Sequence, residues 1–219
     1  DKLKREITRY EIEKRALSDG VHIIVLGGPS MRVGLGGGSL SSLSIDESNK
    51  ELQWAAVQRG NPEMQRRCQE VINQCTALGD ANPILSIHDV GAGGLSNAVP
   101  EILHNSAVGG RFEMRAIPND DLGMSPMAIW CNEAQERYVL AVATEDLNRF
   151  FTIAERERCL YSQIGEASRD PLLIVGDGYF DAVAVEMPLS VLFDAAPMPT
   201  LEVSRIPCVE MLLDEIDFS

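Results

Sequence analysis

The chain is 219 residues long, 45% apolar and 24% charged, the make-up of a globular protein with room for one sizeable core. Its net charge of −14 excludes a nonspecific nucleic-acid binder, which needs clustered Lys and Arg to displace counterions. No apolar run approaches the roughly 20 residues of a membrane span, so neither nucleic acid nor membrane is an expected partner.

Residues 1–15 are charged and helix-like, begin with Asp rather than Met, and are expected to be a linker from a preceding domain. Residues 21–26 (VHIIVL) form a continuous apolar run ending in Gly-Gly-Pro, which predicts a buried strand. Residues 26–42, LGGPSMRVGLGGGSLSS, carry six glycines. That density suits a backbone that bends sharply or lets a ligand come close, and bare N–H groups in such turns bind anions. Gly34, Gly36, Gly37, Gly38 and Ser39 are the candidate phosphate-facing loop. A purely architectural role is the alternative. The loop lacks the Gly-Lys pair of a Walker motif, and its near match to a dinucleotide fingerprint fails at Ser39.

Asn61-Pro62-Glu63 predicts a helix start, with Asn as cap, Pro in the first turn and Glu at the positive end of the dipole. Met64, Cys68, Val71, Ile72, Cys75 and Leu78 then recur at helical spacing up to Gly79. Residues 84–88 (ILSIH) predict a second buried strand, followed by Asp89 and the turn Gly91-Ala92-Gly93-Gly94. A carboxylate at a strand end beside bare backbone can hold Mg²⁺ against phosphate, although Asp89 can equally cap the turn. His88 is read as a satisfied core histidine.

A helix is expected over 95–104, a strand over 111–117, a short helix from Ser125-Pro126 to Cys131, and a strand over 137–143. Thr144 is expected to cap a helix carrying Leu147, Phe150, Phe151 and Ala154. Strands at 159–164, 172–175 and 182–185 complete the pattern. Strand following strand at the end argues against a purely parallel sheet, so the expected fold is α+β, a mixed sheet with packed helices. One domain is expected over 16–196, with 197–219 leading to a following domain. The five cysteines show no CxxC spacing, which fits a cytoplasmic protein better than a zinc or disulfide framework.

Four segments in order, VLGGPSMRVGLGGGSLSS, AAVQRGNPEMQRRCQEVI, NPILSIHDVGAGGLSNAVPE and IWCNEAQERYVLAV, resemble the phosphoribosylformylglycinamidine synthase family across residues 7–200. The DVGAGG form at Asp89 is similar to the first of that enzyme's two synthetase halves, in its C-terminal-type domain. The resemblance implies the fold of the aminoimidazole ribonucleotide synthetase C-terminal domain. It also implies an ATP-dependent carbon–nitrogen ligase of purine biosynthesis, using glutamine as amido donor. Its substrate would be formylglycinamide ribonucleotide, and its partners the other domains of one polypeptide: an ATP-loop domain, a second synthetase half and a glutaminase.

By the same resemblance Asp89 matches a Mg²⁺ ligand, and Gln58, Glu133, Ala134 and Gln135 match substrate-contacting positions. Ala134 stands where the family often has Ser, so no hydroxyl contact is expected there. No catalytic residue falls in this stretch, and the piece alone is expected to be inactive. Two other readings stand beside this one: another ATP-dependent member of the same superfamily, and a non-catalytic half holding an auxiliary nucleotide.

Overall fold

The computed structural model describes residues 15–35 and 61–193. Seven strands form one sheet in the order β2-β4-β1-β5-β3-β6-β7. They are β1 His22–Gly27, β2 Ile84–Asp89, β3 Gly109–Glu113, β4 Arg137–Val142, β5 Tyr161–Ser168, β6 Leu172–Asp177 and β7 Ala182–Pro188. All neighbours are antiparallel except β3 and β6, which run parallel. The helices are α1 Pro62–Thr76, α2 Leu95–His104, α3 Pro126–Cys131, α4 Leu147–Arg156 and α5 Leu189–Phe193. The expected mixed α+β architecture is the one observed.

The unbroken apolar run of β1 is explained by burial on both faces. Ile23 and Val25 join the core under α2 and α3, with Leu95, Val99, Ile102 and Trp130. Ile24 and Leu26 point the other way, into a second core with Cys68, Val71 and Cys75 of α1 and Phe150 and Ala154 of α4. β4 divides in the same manner, Val139 and Ala141 to one side and Leu140 and Val142 to the other.

Helix α1 starts as expected: Asn61 Oδ1 accepts from the Met64 N–H at 3.0 Å, with Pro62 in the first turn. It ends at Thr76, short of Gly79, and Leu78 is exposed. The strand expected over 111–117 is shorter. β3 stops at Glu113, whose carboxylate accepts from the Arg115 N–H at 2.9 Å and winds Met114–Ala116 into a 3-10 turn. Thr144 does not cap α4. A 3-10 turn, Thr144–Asp146, intervenes, and Thr144 Oγ1 lies 3.0 Å from His22 Nε2 instead. The last three strands all run further than their apolar cores suggest, because pairing with neighbours carries the polar ends.

Candidate functional site

Gly27, Arg137, Tyr138 and Asp89 lie at one end of the sheet, where Gly27 pairs with Arg137 and Asp89 with Tyr138. The stretch 132–136 crosses this end without regular secondary structure. Three glycines from distant parts of the chain press against it. A Cβ on Gly27 would sit 1.9 Å from the Glu136 carbonyl oxygen, one on Gly34 2.4 Å from the Glu133 Cβ, and one on Gly94 2.2 Å from the Asn132 carbonyl oxygen. All three have positive φ, at 115°, 67° and 65°. Glycine is thus required twice over at each place, by conformation and by close approach. Hydrogen bonds reinforce the contact: Gly28 N–H donates to the Glu136 carbonyl at 2.9 Å, and Glu133 N–H to the Val33 carbonyl at 2.9 Å.

Beneath this segment lies Arg137, only 2% exposed. Its guanidinium donates to the Ala134 carbonyl (2.9 Å), Ser30 Oγ (3.0 Å), the Asn132 carbonyl (2.7 Å) and Asn132 Oδ1 (2.8 Å). Burial pushes its pKa down to about 9. Asn132, itself fully buried, closes the lattice by donating from Nδ2 to the carbonyls of Ala128 and Ile129, both at 2.8 Å. Sequence reasoning missed Arg137 as a site element. Its one signal was a charge opening the otherwise apolar run RYVLAV.

The expected site residues are placed unequally. Glu133, largely buried, accepts from the Gly93 N–H through Oε1 at 3.1 Å, so the second glycine turn holds a carboxylate of the protein itself. Gln135 is half-buried and donates from Nε2 to the Glu133 carbonyl at 3.1 Å. Ala134 is fully buried against Val33, and its N–H donates to Asn132 Oδ1 at 3.3 Å. Gly34 belongs to the same cluster through its contact with Glu133. Gln58, Gly36, Gly37, Gly38 and Ser39 fall outside the described residues.

Asp89 ends β2 with its side chain 82% exposed. Among the described residues no group of three or more His, Cys, Asp or Glu is gathered as a metal cage. Mg²⁺ commonly takes one or two carboxylates and completes its shell with water and substrate phosphate, so a lone accessible Asp89 fits that role. His88 is satisfied, as expected, but at the margin of the core: Nε2 meets Glu101 Oε2, and Nδ1 lies 2.7 Å from the Asp89 carbonyl. A groove of about 630 Å³ lies elsewhere, over β3 and β5, lined by Arg111, Glu113, Gln163 and Glu166 among others. Among the described residues, none of the expected site residues lines it.

The mixed seven-stranded sheet, packed on both faces around β1 and β4 and carrying glycine turns and a buried polar lattice at one end, defines an α+β domain. Residues 18–177 match the family described as AIR synthase related protein, C-terminal domain, and the chain belongs to that family. Among solved structures it is similar to Thermotoga maritima PurL complexed with FGAR, at 22% identity and a TM-score of 0.76, covering 92% of this chain and 32% of that one. The same protein complexed with ATP matches at 20% identity and a TM-score of 0.71, over 90% of this chain and 29% of that one. Thiamine-monophosphate kinase from Stenotrophomonas maltophilia matches more distantly, at 15% identity and a TM-score of 0.52, over 75% of this chain and 52% of that one. The chain therefore spans about a third of the length of the PurL structures it matches.

Proposed function

We propose that this chain is the C-terminal-type domain of the first synthetase half of a cytoplasmic phosphoribosylformylglycinamidine synthase, with its folded domain over residues 16–196. The whole enzyme would convert formylglycinamide ribonucleotide (FGAR), ATP and glutamine to the amidine, ADP, phosphate and glutamate. ATP phosphorylates the amide oxygen, and ammonia released from glutamine by another domain then displaces phosphate. The observation that carries the reading is the convergence of Gly27, Gly34, Gly94 and the Gly93 N–H on segment 132–136. Segments about forty and about a hundred residues before 132–136, singled out separately from sequence, meet it at one sheet end. The fold shared with PurL structures holding FGAR or ATP supports the substrate class.

In this reading Glu133 and Gln135 face the ribonucleotide and Gln58 joins them, while Ala134 serves through its backbone. Asp89 is the Mg²⁺ ligand, and Mg²⁺ bound there would neutralise charge on the nucleotide phosphates. The test uses the full-length polypeptide with ammonia replacing glutamine. Asp89→Asn is expected to lower amidine formation on the order of 100-fold or more with an unchanged melting temperature. Near-normal turnover with a lowered melting temperature would instead assign a structural nucleotide site to this half.

A further inference from the structure

Segment 132–136 has no ladder of its own, yet it carries Glu133 and Gln135. Its residues are mostly buried and their backbone oxygens need donors, since a buried acceptor left unpaired loses its water without compensation. Arg137 supplies four hydrogen bonds at once, three of them to Asn132 and Ala134, which flank Glu133, and one to Ser30 in the glycine loop. All four acceptors are neutral. A guanidinium is the only side chain whose planar fork reaches so many fixed oxygens, and Lys has neither the reach nor the geometry. An apolar residue of equal volume would avoid burying a charge but would leave those four acceptors without their donor.

From this geometry we infer that Arg137 is a positioning residue: it sets the backbone from which Glu133 and Gln135 meet the ribonucleotide, and ties that backbone to the glycine loop through Ser30. The inference rests on the proposed reading of Glu133 and Gln135 as substrate contacts. It deepens that reading by naming what holds them. Arg137 touches no reacting atom. Its action passes through the oxygens of Asn132 and Ala134.

The experiment uses the full-length polypeptide at saturating ATP and ammonia, with FGAR as the varied substrate. Arg137→Met keeps the volume and removes every donor; Arg137→Lys keeps the charge and one or two bonds. Arg137→Met is expected to raise KM for FGAR about tenfold or more while KM for ATP stays within about twofold, with Arg137→Lys between Met and wild type. In a Glu133→Gln/Gln135→Ala background the same Met substitution is expected to add less than about threefold, because its effect travels through those two residues. Equal effects in both backgrounds, or a lowered melting temperature with KM for FGAR unchanged, would overturn the inference. If Arg137→Met fails to fold, Ser30→Ala removes one anchor alone and is read in the same two backgrounds. Failure of the underlying reading looks different: Glu133→Gln and Gln135→Ala would then leave KM for FGAR at the wild-type value.

Discussion

Gly27 and Gly91 look alike in sequence, each in a glycine turn after a buried strand, but they face different surroundings. A Cβ at Gly91 meets nothing within 4 Å, whereas at Gly27 it meets the Glu136 carbonyl and a φ of 115°. Gly27→Ala is expected to destabilise on the order of 3 kcal/mol, from overpacking and strain together, and Gly91→Ala to stay within about 0.5 kcal/mol of wild type. Urea unfolding of both variants checks this, and equal midpoints would show that the close approach does not hold in solution. The contrast marks the limit of sequence reading at this scale. Glycine density announced that the backbone was special, but not whether a ligand or another piece of protein fills the space. At Gly34 the filler is Glu133 and at Gly94 it is Asn132, both remote in sequence. Arg137 escaped notice for the same reason, since its acceptors are loop oxygens that no periodicity records.

At the scale of elements, the signals that worked were local ones. α2 and α3 were read to within a residue because their limits are written in adjacent Gly, Ser-Pro and polar positions. Asn61 caps α1 through its own side chain, and Asn61→Ala is expected to lower stability by about 1 kcal/mol, measured as a shift in the urea midpoint. The failures occurred where a side-chain hydrogen bond, near in sequence or far from it, overrides the pattern. Glu113 bends the chain out of β3 although Met114 and Ala116 continue the apolar alternation from Phe112, and Thr144 turns to His22 on β1 rather than to the helix ahead of it. α1 also fixes the fate of its thiols. Cys75 is wholly buried between α1 and the sheet, and burial pushes its pKa up to about 12. At pH 8 it is therefore expected to resist iodoacetamide in the folded protein and to react on unfolding, whereas half-buried Cys131 reacts before it. Mass mapping of the labelled thiols decides the order.

Across the whole molecule the sheet is held unevenly. Around β1 and β4 both faces are packed, but β6 and β7 contribute to one core only, and β7 is exposed along most of its length. A charge pair adds to the β3–β6 ladder and the shared core in fastening this far side to the rest. Arg115, in the 3-10 turn after β3, meets Asp177 at the end of β6 through two hydrogen bonds of 2.8 and 2.6 Å, and its guanidinium lies over the Tyr179 and Phe180 rings. The hydrogen bonds from Arg115 hold the buried Asp177 carboxyl below the usual carboxylate range. A depressed folded-state value means the unfolded chain binds this proton first as pH falls. The stabilisation is therefore complete above the ordinary carboxylate value and is lost as pH drops through the lower, folded-state one. Asp177→Asn is expected to cost on the order of 3 kcal/mol at pH 7, because it leaves Arg115 half-buried without its carboxylate. It is also expected to flatten the acid limb of the stability curve, so that variant and wild type converge once the wild-type carboxyl is protonated. Urea midpoints taken from pH 7 down to pH 2 measure both effects. Parallel curves, offset by the same amount at every pH, would mean that shape rather than charge joins β3 to the outer strands.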